Sequence, residues 1–253
     1  MRKITTLVII GFLALNLSVN SQTIQKIDSN AFVGKAKYLK EDLTKFLKKI
    51  TVYPREGFTN NIEGDVVFSV VIKKDGTSDD FTLVNSDKSV LMGSTLSALR
   101  TLDNKWSPAI ENGEPVDKKY LIVFRYRIYQ NTDPVNYKRD ALEFIKKEKY
   151  DKAIKTYDKG IKENKYDFDL FEKRSLAKNK VGDEQGVKQD HDTAIKLYGE
   201  ILTVVDVVMK SVTTRQVIGG ATVVGSTRTS SSSEFRPPPV VNTVEGSSVP
   251  RGF

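Results

Sequence analysis

Few side chains in this chain of 253 residues could carry reaction chemistry, and their types narrow it at once. There is a single histidine, His191, and no cysteine. A thiol nucleophile, a disulfide framework, a cysteine-based zinc site and any centre that needs two imidazoles are therefore excluded. The carboxylate pairs Asp79-Asp80 and Asp167-Asp169 could in principle divide acid and base roles. They fall in turns or at strand starts, with no partner motif to place a reacting group between them. Gly219-Gly220 sits in a Ser/Thr-rich stretch rather than between a strand and a helix, so no phosphate-cradling or dinucleotide-binding glycine pattern is present. His191 falls at a packing position of a helix and reads as a structural histidine. No catalytic residue, metal site or cofactor is expected, and the chain does not read as an enzyme.

What remains is binding chemistry. Forty Lys and Arg against 32 Asp and Glu give a net charge of +8, which is a mixed surface rather than a polycation and does not point to nucleic acid. The elements that must present a binding surface can be read from periodicity. Between Phe32 and Ile50 the residues Phe32, Ala36, Leu39, Leu43, Phe46, Leu47 and Ile50 recur at steps of three and four, which predicts an amphipathic helix ended by Pro54. Asp65 to Lys73 is rich in β-branched residues, Asp75-Gly76 is a turn signal, and Asp79 to Asn85 returns, so a hairpin is expected. Leu91, Thr95, Ala98, Leu99 and Leu102 follow at helical spacing with Asp87 placed to cap them. After a turn-rich stretch from Asn104 to Pro115, Tyr120 to Tyr129 forms a long strand. Its stripe Tyr120, Ile122, Phe124, Tyr126 and Ile128 faces a core, and Arg125 and Arg127 face the other way. The order helix, hairpin, helix, strand predicts a small α+β domain over residues 30–130 with its helices on one face.

Tyr53-Pro54, Ile62-Glu63-Gly64, Asp75-Gly76, Trp106-Ser107-Pro108-Ala109 and Asn112-Gly113-Glu114-Pro115-Val116, in that order and spacing, resemble the C-terminal domain of TonB energy transducers in its Bacteroidetes-like form. The resemblance covers about residues 35 to 129. It implies a non-enzymatic domain that adds an extended segment of an outer-membrane receptor to the edge of its last strand. Here that strand is Lys119 to Arg127, with Lys119, Leu121, Val123, Arg125 and Arg127 as the candidate partner-binding residues. A cover over this edge by the chain's own tail or by a second copy is the alternative. One departure matters. Only about ten residues, Gln22 to Ala31, join the apolar N-terminal segment to the first helix, and at most ~3.6 Å per residue they span tens of ångströms, too little to cross a periplasm.

That N-terminal segment, MRKITTLVIIGFLALNLSVNSQ, has two cations, an apolar run and Val19-Asn20-Ser21 before Gln22. It reads as a signal peptide over residues 1–21 that exports the chain to the periplasm; an uncleaved inner-membrane anchor is the alternative. Over residues 134–205, Tyr137, Ala141, Ala153, Tyr157, Gly160 and Ile161 return 34 positions later as Phe171, Ser175, Val187, His191, Ala194 and Ile195, resembling two tetratricopeptide repeats. Two such repeats need a further surface to cover them, and the first repeat's open face is expected to pack on the first domain. Lys138, Lys146, Glu172 and Asn179 would then line a groove open to a partner. Ile201 to Met209 fits helix or strand equally, and residues 210–253 read as a flexible low-complexity tail with Trp106, far upstream, as a core anchor. The reading is an α+β periplasmic adaptor that binds an envelope protein or an extended peptide, possible as a homodimer. The alternative is a component of TonB-dependent transport that contacts a receptor.

Overall fold

The structure, a computed structural model, describes residues 34–86, 88–218 and 221–230, with the backbone alone beyond Ser211. The segment read as a signal peptide, Phe32, Asp87, which was read as a cap, and everything after Ser230, including Pro237 to Pro239, lie outside the described residues. Strand β1 (Lys37–Tyr38) precedes helix α1 (Leu43–Ile50), so the helix expected from Phe32 is confined to its last two turns. Asp42 decides the start: its carboxylate accepts the Lys45 N–H at 2.8 Å and satisfies an otherwise orphan donor. Upstream of that cap the chain is extended, and Leu39 is left 63% exposed. Pro54, with its fixed φ, opens a second short helix, α2 (Arg55–Thr59), rather than simply ending the first.

The hairpin forms as expected from β2 (Gly64–Ile72) and β3 (Thr82–Asn85). Gly76 takes φ +82, and a Cβ there would lie 2.6 Å from the Trp106 carbonyl oxygen, so only glycine fits this turn. Helix α3 (Ser89–Leu99) follows. The turn-rich stretch then contains three short strands, β4 (Trp106–Ser107), which pairs with β1, and β5 (Ala109–Glu111) with β6 (Glu114–Val116). Strand β7 (Lys118–Gln130) runs antiparallel to β2. Val66, Phe68, Val70 and Ile72 of β2 and Tyr120, Ile122, Phe124 and Tyr126 of β7 meet Leu47, Tyr53, Phe58, Leu91 and Leu99 in one core. Trp106 is buried there beside Tyr38, with ring centroids 5.1 Å apart.

Four helices follow: α4 (Tyr137–Ile145), α5 (Tyr150–Glu163), α6 (Phe168–Lys180) and α7 (Glu184–Glu200), each packed on the one before. Asn136, Asp167 and Asp183 cap α4, α6 and α7. Ala141, Ala153, Tyr157, Leu170 and Ala177 are their core, and a Cβ on Gly160 would sit 2.9 Å from the Tyr137 Cβ. The second half differs from the simple 34-residue copy. His191 is only half-buried, while its neighbour Asp190 is buried and held by Arg174 and Lys178.

The helical unit ends at Glu200 rather than near residue 205. Ile201 begins β8 (Ile201–Ile218), which lies parallel to β7, and β9 (Ala221–Ser230) returns antiparallel to β8. The segment read as a flexible tail thus has a strand backbone up to Ile218 and again over Ala221–Ser230. The five-stranded sheet has the order β3-β2-β7-β8-β9, and α4 to α7 form the crossover between its parallel strands. Helices α1 to α3 lie against one face, and the later helical unit covers the other. Val67, Val123 and Ile201 on the second face pack with Tyr166, from the α5–α6 connection, and Leu197 of α7. The helical unit docks through these later helices as well as through α5, whereas the open face of the first repeat alone was expected to do so.

Candidate functional site

Strand β7 was expected to offer a free edge, and it does not. From Leu121 to Gln130 it is paired on one side with β8, and from Lys118 to Tyr126 it is paired on the other with β2. Val123 lies between Val67 and Val204 and is wholly buried; Arg125 lies between Asp65 and Asp206. Of the five proposed edge residues Lys119 alone precedes the β8 pairing, while Leu121, Val123, Arg125 and Arg127 are inside the sheet. The physical reason is the run from Ile201 to Met209. Its alternate residues Val205, Val207 and Met209 enter the main core, Ile201 enters the second one, and Thr203 meets Thr44 of α1 with their hydroxyls 2.6 Å apart. Four buried side chains at ~1.5–3 kcal/mol each give β8 roughly 6–12 kcal/mol of hold on the body. That is comparable to the whole net stability of an ordinary domain, ~5–15 kcal/mol. β8 is a built-in strand, not a loosely held plug.

Where α4 and α5 meet β7 and β8, a cleft of about 380 Å³ opens. Arg125 and Arg127 reach it from β7, Asp206 from β8, Lys48 from α1, Tyr137 and Lys138 from α4, and Glu163 from α5. Arg125 is 5% exposed. Its Nη1 donates to Asp206 Oδ1 at 2.8 Å and its Nη2 to the Glu163 carbonyl at 3.0 Å, while its Nε has no partner. Arg127 donates to Asp65 at 2.8 Å. The hydroxyls of Tyr129 and Tyr137 donate to the two carboxylate oxygens of Glu163 at 2.9 and 3.0 Å. Burial first, and then the Glu163 carboxylate, push both phenols above their ordinary range. Lys138 lies 2.9 Å from Asp167 and 2.7 Å from Asp169; burial opposes its charge, but the two carboxylates outweigh it and hold the amine above its usual value.

The cleft thus gathers Arg125, Arg127 and Lys138, which the sequence placed on two separate surfaces. It leaves the others apart. Lys146 is exposed and paired with Glu143 at 2.7 Å, and Glu172 and Asn179 lie along α6. Lys138 is tied down rather than free. Glu163, Tyr129 and Asp206 were not foreseen. Tyr137 was marked only as a packing residue, and nothing in the local pattern distinguishes Glu163 from a solvated helix-end acid. Chemically the arrangement clamps sheet to helices through fixed ion pairs and leaves a polar recess beside them. Among the described residues no cluster of three or more His, Asp or Glu could hold a metal ion, and no helix is long and apolar enough to cross a membrane.

Residues 50–128 match the family described as Gram-negative bacterial TonB protein C-terminal. The match begins at the end of α1 and stops near the end of β7, so it contains the hairpin, α3 and the strand that β8 covers. The likeness to a TonB-type domain thus extends over about a third of the chain. Helices α4 to α7 and strands β8 and β9 lie outside the match, and the tetratricopeptide resemblance stands on residue spacing and helix packing alone. No curated protein matches the chain.

Proposed function

We propose that the chain is a non-enzymatic adaptor of the periplasm, exported by cleavage before Gln22, in which a TonB-type domain and a tetratricopeptide-like helical unit act as one scaffold for an envelope protein. The observation that carries this reading is the parallel pairing of β8 on β7. A domain whose last strand is filled by its own chain has no open ladder there for a receptor segment, and it is fused by that same strand to a helical unit of the kind that grips other proteins. The recess between the two, with Lys48, Asn136 and Lys138 at its wall, is the surface on which an envelope partner would bear. The short link from the N-terminal apolar segment fits a scaffold better than a device that transmits force across the periplasm.

A second reading, a component of TonB-dependent transport that contacts an outer-membrane receptor and takes its energy from another protein, is favoured by the family match itself. Crosslinking in intact cells from a photoreactive residue at Asn136, followed by mass spectrometry, separates the two. An envelope protein that is not a receptor, captured with uptake unaffected by deletion of the chain, supports the scaffold. Capture of a receptor together with lost uptake supports transport. A mature chain that retains Met1 in the membrane fraction overturns the exported scaffold.

A further inference from the structure

The two edges of the five-stranded sheet are built very differently. At one end β3 is four residues long and its register with β2 shifts between Val67 and Phe68, which blunts it. At the other end β9 is ten residues long and pairs with β8 from Met209↔Ser230 to Ile218↔Ala221 with no irregularity. Ala221–Ser230 contains no proline and no acid and carries one arginine as its single charge, so the strand's own sequence holds little that guards against strand addition. Moreover, β7 stops at the Gln130↔Ser211 pair. From Val212↔Thr227 to Ile218↔Ala221 the ribbon of β8 and β9 continues past its neighbour, over seven residues or about 24 Å at ~3.4 Å each. A two-stranded ribbon alone is marginally stable in water, and among the described residues no third strand lies on this part of the ribbon.

Charge says which strand. Residues 211–230 carry Arg215 and Arg228 and no Asp or Glu. A second copy laid on this ribbon would bring four arginines together, which opposes association. An acidic extended segment would be attracted. We propose that the outer edge of β9 is a strand-addition site for an extended, acidic peptide segment of a partner. This surface lies outside the TonB-type domain and outside the cleft on which the adaptor reading rests. Main-chain pairing supplies the grip, and the cationic ribbon selects the sequence.

The probe is a fluorescein-labelled ten-residue peptide alternating glutamate and valine, titrated into the full exported chain and followed by anisotropy, with its lysine counterpart alongside. The glutamate peptide is expected to bind saturably and to weaken as salt rises, the lysine peptide to bind at least about tenfold more weakly, and an Arg215→Glu/Arg228→Glu chain to lose about tenfold for the glutamate peptide. Antiparallel ladder bonds alternate along a strand, so of the neighbouring amides of Val223 and Val224 one faces β8 and one faces outward. Of Val223→Pro and Val224→Pro, one is therefore expected to keep the native spectrum and melting temperature while losing the peptide. Equal binding of both peptides, salt-independent binding, or full binding by both proline chains would overturn the proposal. So would a stable dimer in sedimentation that the glutamate peptide fails to dissociate, since the edge would then belong to a second copy. Should the double reversal fail to fold, the lysine peptide and the salt series still decide the matter.

Discussion

Proline at Val123 distinguishes a central β7 from a free one. Val123 is fully buried and has β2 on one side and β8 on the other, so its amide has a ladder partner whichever way it points. Val123→Pro removes that donor, which costs ~0.5–1.5 kcal/mol, and strands a buried carbonyl, which costs a further ~1–3 kcal/mol. Fixing φ and losing part of the contact with Val67 and Ile201 adds about 1 kcal/mol. The sum, about 2.5–5.5 kcal/mol, lowers the melting temperature by roughly 5–22 °C at ~2–4 °C per kcal/mol for a chain of this size. The control is Val84→Pro on β3, which is half-exposed and sits at the register shift, opposite no residue of β2. There the loss is expected to stay within about 1 kcal/mol. Circular dichroism melts of both variants beside the parent chain provide the comparison. A Val123→Pro chain that melts within about 2–4 °C of the parent would refute the reasoning, because only an edge strand tolerates the change that well.

In the helical unit, Asp190 is 3% exposed beneath Arg174 and Lys178, and Asp190→Ala takes the carboxylate from Lys178 and leaves Arg174 with the half-exposed Asp158 alone. Urea unfolding is expected to show a loss of about 3–5 kcal/mol, against less than about 1 kcal/mol for Asp158→Ala, whose side chain is half-exposed. Glu163→Gln keeps one acceptor for Tyr129 and Tyr137 but removes the charge, and ultraviolet titration should show both phenols ionising at lower pH than in the parent chain. Lys35 donates to the Ile201 carbonyl and lies 4.7 Å from the ring of Tyr198, and burial lowers its pKa to about 8. Between about pH 8 and 10 the unfolded chain therefore binds the extra proton, and stability contributed at this site rises with pH. The stability difference between the parent and Lys35→Met is expected to grow in the parent's favour from pH 7.5 to pH 10, and a difference independent of pH would contradict the burial of this amine.

Much of the first domain was legible because its signals are local. The stripe from Tyr120 to Tyr126 and the Asp75-Gly76 turn each state their structure within a few residues, and Gly76 fits because Trp106 crowds the position. The start of α1 was misread because Ala36 and Leu39 keep the same three-and-four spacing outside the helix as inside it, and only the Asp42 side chain tells the two apart. The covering of β7 was legible only as an alternative, without the segment that supplies it. Ile201 to Met209 is uniformly apolar enough for helix or strand, and what makes it a strand is a neighbour more than 70 positions away in sequence. Parallel pairing of that kind leaves no hairpin signature. The cleft was half legible: Arg125 and Arg127 were marked as facing away from the first core, but Asp206 and Glu163, which hold Arg125, come from β8 and α5, outside the domain in which the arginines were read.

Absence of cysteine makes the pairing of β7 with β8 open to a direct chemical measurement. Gln130 and Ser211 are register partners at the end of the parallel ladder, and neither is deeply buried. In the Gln130→Cys/Ser211→Cys chain, mild oxidation followed by peptide mapping under non-reducing conditions is expected to give a disulfide within one chain in nearly all molecules. The Gln130→Cys/Val84→Cys control, with its second thiol on the far edge of the sheet, should give none. A Gln130→Cys/Ser211→Cys chain that stays reduced, or that crosslinks only between chains, would contradict the claim that this protein fills the edge of β7 with its own strand.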